Sequence, residues 1–145
     1  RQLLTLAAER QLLLSSRSDA TAIGALLTVE PRVRVLWAPG ATDASPGTVE
    51  LMIQRHPTLS VNLALSRGTI APGGKLDPDW RELFMRYPDR FMVGTDTYAS
   101  ATWYYFRYML SDIRKWLAQL PPDVAERIAY RNAQGLLQTQ PGVPA

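Results

Sequence analysis

The apolar positions of the chain switch repeatedly between two periods. Leu3, Leu4, Leu6, Ala7 and Ala8 recur at helical spacing and run into Leu12-Leu13-Leu14, a short apolar run suited to a buried strand. Ser18-Asp19 offers an N-cap to a helix carrying Ala22, Ile23, Leu26 and Leu27, which Pro31 stops. Val33 to Ala38 is the second predicted strand, closed by Pro39-Gly40. After a polar loop, Val49, Met52 and Ile53 mark one face of a helix that ends at Pro57, and Leu59 to Leu65 is the third strand. Ser66 to Asp79 contains Gly68, Pro72, Gly73, Gly74 and Pro78, which predicts a long functional loop. A short helix with Trp80, Leu83 and Phe84 stops before Pro88, and Phe91 to Gly94 is the fourth strand.

From Ser100 onward the pattern is helical. One predicted helix runs to about Leu120, and Pro121-Pro122-Asp123 starts another through Val124, Ile128 and Leu136. On the first, Trp103, Phe106, Leu110, Ile113 and Leu117 form one stripe, with Tyr105, Met109 and Trp116 forming a neighbouring one. Two stripes make the helix apolar over most of its circumference, so a partner is expected to cover the second. Residues 1–138 read as one domain and 139–145 as a flexible tail.

Strands alternating with helices imply parallel pairing through right-handed crossovers. The C-terminal ends of all four strands then gather on one rim, where α/β folds place their ligands. That rim collects Ser16, Arg17, Trp37, Asp43, Arg67, Thr95, Asp96 and Thr97. Asp96, closing an apolar strand, is the candidate general acid or base, or a lone metal ligand; the alternative is a carboxylate that caps the following helix or pairs with an arginine. Arg17 and Ser16 are the other catalytic candidates. Trp37, Asp43, Arg67, Thr95 and Thr97 are candidate contacts to a small-molecule substrate.

Composition narrows the chemistry. At 145 residues, 46% hydrophobic and 20% charged, the chain suits one globular domain. A formal charge of +3, scattered among acidic residues, argues against a nucleic-acid partner. There is no cysteine, which removes disulfides, thiolate nucleophiles and cysteine-ligated metals, and the chain suits cytoplasm or periplasm equally. A single histidine, His56, rules out a histidine-built metal centre. It precedes Pro57 at a helix end, on the rim away from the candidate site. No apolar run reaches the ~20 residues of a membrane span. The chain opens at Arg1 inside what reads as a helix, without Met, so further chain upstream is expected.

Several segments carry a resemblance. Leu36-Trp37-Ala38, His56-Pro57-Thr58-Leu59, Leu76-Asp77-Pro78-Asp79-Trp80, Tyr87 through Thr97, Pro121-Pro122-Asp123 and Arg131-Asn132-Ala133 resemble the C-terminal half of amidohydrolase-superfamily proteins, and most closely the amidohydrolase-2 branch of metal-dependent hydrolases and decarboxylases. The resemblance implies the fifth to eighth units of a (β/α)8 barrel. The fold expected is therefore α/β, a half TIM-type barrel of four parallel strand-helix units plus C-terminal helices. The resemblance makes Asp96 the last-strand aspartate that binds a divalent metal, zinc or manganese, and handles the proton of the attacking water. The family's histidines after its fifth and sixth strands are replaced here by Arg17 and Pro39. Arg17 thus puts a permanent cation where the family keeps a metal, suited to pairing with Asp96 and holding substrate oxygens.

Four parallel strands alone leave two open edges and an apolar inner face that a closed barrel would bury. A homodimer that closes an eight-stranded barrel, or a flattened sheet with helices on both faces, would satisfy both. The function expected is a small hydrolase of amide, ester or lactone bonds with a degenerate metal site. The alternative is a non-catalytic half-barrel remnant or binding module that works through self-association.

Overall fold

The computed structural model describes residues 1–38, 44–64, 67–97 and 99–138. Asp43, Pro39 and the expected tail 139–145 lie outside them. The described elements run α1 (Gln2–Glu9), β1 (Leu13–Ser16), α2 (Ala20–Val29), β2 (Arg34–Trp37), α3 (Pro46–Arg55) and β3 (Leu59–Asn62). Then follow α4 (Arg67–Ile70), a 3-10 turn (Pro72–Gly74), α5 (Pro78–Arg86), β4 (Phe91–Met92), α6 (Ser100–Trp103) and α7 (Phe106–Leu117). The chain ends in α8 (Pro122–Glu126), a π-helical turn (Arg127–Arg131) and α9 (Asn132–Gln138).

Local chemistry sets the boundaries. Asp19, Ser45 and Asp77 cap α2, α3 and α5 by accepting from the amides of Ala22, Thr48, and both Asp79 and Trp80. Pro46 and Pro78 sit in the first turns of α3 and α5, where a missing N–H costs nothing. Helix α1 ends in a Schellman turn: Leu12 N–H donates to Ala7 O (2.8 Å) and Gln11 N–H to Ala8 O (3.1 Å). Gln11 takes the left-handed conformation, φ 53°, that this turn requires. The turn sends the chain from α1 directly into β1.

The strands pair in parallel in the order β1-β2-β3-β4, as the alternation predicts. Register follows side-chain parity. Val35, Trp37, Leu59, Val61 and Phe91 are all within 1% of full burial and join Ile23, Leu27, Val49, Met52, Leu83 and Phe84 in one core between sheet and helices. Phe84 anchors it, edge-on to Phe91 at 4.9 Å and stacked on Trp116 at 5.7 Å. Glu30, after α2, is a buried charge among the described residues, and Arg32 grips both its carboxylate oxygens at 2.9 Å.

The opposite, inner face carries Leu13, Ser15, Arg34, Leu36, Ser60, Asn62 and Met92. It is mixed, with Leu13, Leu36 and Met92 among four polar residues, where an apolar inner face was expected. Other expectations shift as well. The long helix from Ser100 is broken at Tyr104-Tyr105, so α6 and α7 are separate pieces. The buried stripe of α7 takes Met109, Trp116 and Leu117, while Trp103 and Tyr105 of the two predicted stripes are exposed. Over 67–79 the glycine-rich stretch is no open loop: Gln119 accepts from the Leu76 amide at 2.9 Å and donates to Gly74 O at 2.8 Å, pinning it to the end of α7.

Candidate functional site

Arg17 directly follows β1 and Asp96 comes four residues after β4, so they leave the two outermost strands of the sheet. Three strand spacings of ~4.8 Å separate such strands by about 14 Å in a flat sheet. Curvature and two loops close that gap, and the Arg17 guanidinium donates to both oxygens of Asp96. The ion pair therefore spans the mouth of the half-barrel at the C-terminal ends of its strands. Asp96 is mostly shielded, its side chain 18% exposed, against 57% for Arg17. Its backbone is left-handed at φ 49°, a conformation that aspartate tolerates better than most residues but that carries strain.

The supporting residues are local. Trp37, fully buried, donates from Nε1 to Ser18 O at 2.8 Å and so fixes the loop that carries Arg17. Its ring belongs to the core layer and not to the mouth. Ser16 is at the end of β1; its hydroxyl contacts Ser18 Oγ (3.2 Å) and accepts from the Ser18 amide (3.3 Å). Thr95 and Thr97 share a hydroxyl-hydroxyl bond of 2.9 Å that closes the loop around Asp96. Arg67 begins α4, and its side chain, like Asp43, lies outside the described residues. His56 caps the far end of α3, where burial, and then the Arg55 charge, hold its pKa below the ordinary value.

Sequence reasoning missed Asn62. It ends β3 on the inner face, and its Oδ1 accepts from the Ala64 amide at 2.9 Å. A Cβ on Gly94 would stand 2.3 Å from that oxygen, so only glycine lets the strand leading to Asp96 pass so close. The available signal was an asparagine inside the predicted strand Leu59 to Leu65.

The residues present do not fit a metal. Arg17 occupies both Asp96 oxygens, and among the described residues no group of three His, Cys, Asp or Glu side chains is placed to hold an ion. A separate cavity of about 650 Å³ lies toward the opposite ends of the strands, between the inner face and the C-terminal helices, with Arg34, Ser60, Met92, Asn132 and Leu136 in its walls. It does not include Asp96 or Arg17.

Sheet, helices and mouth together define half of a TIM barrel. The comparison with solved structures agrees: the chain is similar to an uncharacterised TIM-barrel protein of Bordetella bronchiseptica, with a TM-score of 0.67 and 16% identity over 94% of this chain. The chain spans about half that protein's length, 49%. No protein-family model and no curated protein matches the sequence.

Proposed function

We propose that the chain is a small hydrolase of amide, ester or lactone bonds, of amidohydrolase type with a degenerate metal site. The observation that carries this reading is the Arg17–Asp96 pair across the C-terminal mouth, where barrels of this architecture run their chemistry. In this reading the Asp96 carboxylate takes a proton from a water whose oxygen attacks the carbonyl carbon. The carbonyl oxygen becomes an oxyanion, stabilised by the positive charge of the Arg17 guanidinium and by the Ser16 hydroxyl. As the tetrahedral species collapses, the C–N or C–O bond breaks and the protonated Asp96 returns its proton to the leaving group. Trp37 positions the Arg17 loop, Thr95 and Thr97 shape the Asp96 loop, and Asp43 and Arg67 contribute substrate contacts from the loops after β2 and β3. The exposed aromatics that follow, Trp103 at the end of α6, Tyr104 and Tyr105 in the break and Tyr108 on α7, suit an apolar or planar acyl group.

The test is turnover of a panel of p-nitrophenyl esters, anilides and lactones by the wild-type chain and by Asp96→Asn. Loss of hydrolysis in a folded variant supports the reading, and unchanged turnover sinks it.

A second reading, a self-associating half-barrel module without catalysis, is favoured by one observation. Leu3, Leu6 and Leu12 are exposed beside the edge strand β1.

A further inference from the structure

Strand parity puts Asn62 on the inner face of the sheet with Ser60, while Val61 between them is buried in the core. Asn62 is also the last residue of β3, so its side chain stands at the C-terminal ends of the strands, on the mouth side. Its partner in register is Met92, the last residue of β4, and Gly94 follows two residues further on. The Asn62 carboxamide lies against Gly94: a Cβ at that glycine would stand 2.3 Å from Oδ1 and 3.0 Å from Nδ2. A side chain at 94 would wedge between Asn62 and the segment that leads to Asp96.

The two ends of that carboxamide do different things. Oδ1 accepts from the Ala64 amide at 2.9 Å, which fixes how the group is turned, because Nδ2 in its place would meet another donor. Nδ2 is the open end. Among the described residues nothing accepts its hydrogens, and no buried side-chain nitrogen or oxygen lacks a partner, so Nδ2 reaches solvent. On the inner face at the strand ends, that solvent is the mouth. The donors already assigned to the mouth are engaged: the Arg17 guanidinium donates to both oxygens of Asp96, and the Ser16 hydroxyl donates to Ser18 Oγ at 3.2 Å. Either has to leave or share a partner to hold a substrate oxygen. Asn62 Nδ2 has none to leave, and the Ala64 amide already immobilises it.

We infer that Asn62 Nδ2 is the oxyanion donor of this mouth. It donates to the carbonyl oxygen of the substrate and keeps that bond as the oxygen gains negative charge in the tetrahedral species. A fixed, uncommitted donor stabilises developing charge well because nothing reorganises as the charge appears. Asp96 handles the proton, Arg17 holds Asp96 and adds its positive charge, and Asn62 supplies the neutral donor. The inference rests on the hydrolytic reading and deepens it. It also gives Gly94 a role in the site: a residue without a side chain leaves the carboxamide uncovered.

The test runs the ester, anilide and lactone panel on Asn62→Asp and Asn62→Ala beside the wild type. Asn62→Asp keeps an oxygen for the Ala64 amide and exchanges the Nδ2 donor for an acceptor, whereas Asn62→Ala removes the donor without adding charge. Both should lower kcat by about 10²–10³-fold with KM little changed. A residue that only held Ala64 in place would be spared by Asn62→Asp, and an effect of the new charge alone would spare Asn62→Ala. Wild-type kcat in either folded variant therefore overturns the inference and leaves the hydrolytic reading standing. Should the alanine variant not fold, the pH profile of Asn62→Asp decides. A charge beside Asp96 moves only the acid limb, so a plateau that regains the wild-type rate at higher pH overturns the inference, and a lowered plateau supports it. A wild type that turns over nothing on the panel ends the hydrolytic reading and this inference together.

Discussion

Gly94→Ala is the sharpest probe of the packing beneath Asp96. The new Cβ would fall 2.3 Å from Asn62 Oδ1 and 3.0 Å from both Cγ and Nδ2 of that side chain. Asn62 is not free to swing away without cost, since its oxygen holds the Ala64 amide at 2.9 Å. Overpacking of this kind costs about 1–3 kcal/mol, and losing the hydrogen bond adds about 1 kcal/mol. The single substitution should therefore destabilise by about 2–4 kcal/mol. Asn62→Ala removes the obstruction, so Gly94→Ala in that background should cost under about 1 kcal/mol. A double-mutant cycle in urea reads the difference as coupling between the two positions. Equal cost of Gly94→Ala in both backgrounds would show that β3 and β4 do not approach each other as described.

Two further predictions address the site and the charge balance. Trp37→Phe keeps the buried ring but removes the bond to Ser18 O, and should cost about 1–3 kcal/mol in stability; turnover should fall through kcat in the folded variant, and full turnover would remove Trp37 from the support of Arg17. His56 has its pKa held below the ordinary 6.5 by burial and by Arg55, so the folded state binds a proton less readily than the unfolded chain. Its share of stability is complete above that ordinary value and is lost as pH falls from it through the lower folded pKa. Thermal melts across that window should fall more steeply for the wild type than for His56→Gln, and parallel slopes would contradict the assignment.

Much of the fold was legible because burial on one side of a sheet writes itself into alternation. Leu59-Ser60-Val61-Asn62 is the plainest case, with the apolar pair in the core and the polar pair on the inner face. Strand ends were less legible. Leu63 and Ala64 are as buried as strand residues, yet β3 stops before them and the Asn62 side chain takes the Ala64 amide. The break at Tyr104-Tyr105 was hidden because apolar spacing continues across it, and periodicity does not record an interruption of the helical hydrogen bonding. The cover on the β4 edge was not readable at all: Val93 N–H donates to Ile128 O and Asn132 Nδ2 to Phe91 O, yet Ile128 and Asn132 look like ordinary helix positions. The Arg17–Asp96 contact joins residues 79 apart, and its pairing was legible through the resemblance that set both residues at strand ends, not through periodicity. The left-handed backbone of Asp96 has no signature in residue type alone, since aspartate is common in ordinary conformations too.

The most direct measurement is the hydrolytic rate of Asp96→Asn against wild type on the same ester, anilide and lactone panel, with melting temperature read in parallel. With Arg17 57% exposed, solvent screens the pair and its contribution to stability stays within about 1 kcal/mol, so the variant should melt close to the wild type. Loss of the proton-transfer group should lower kcat by about 10²–10⁴-fold. A folded Asp96→Asn protein that turns over substrate at the wild-type rate would contradict the account of this mouth as a hydrolytic site.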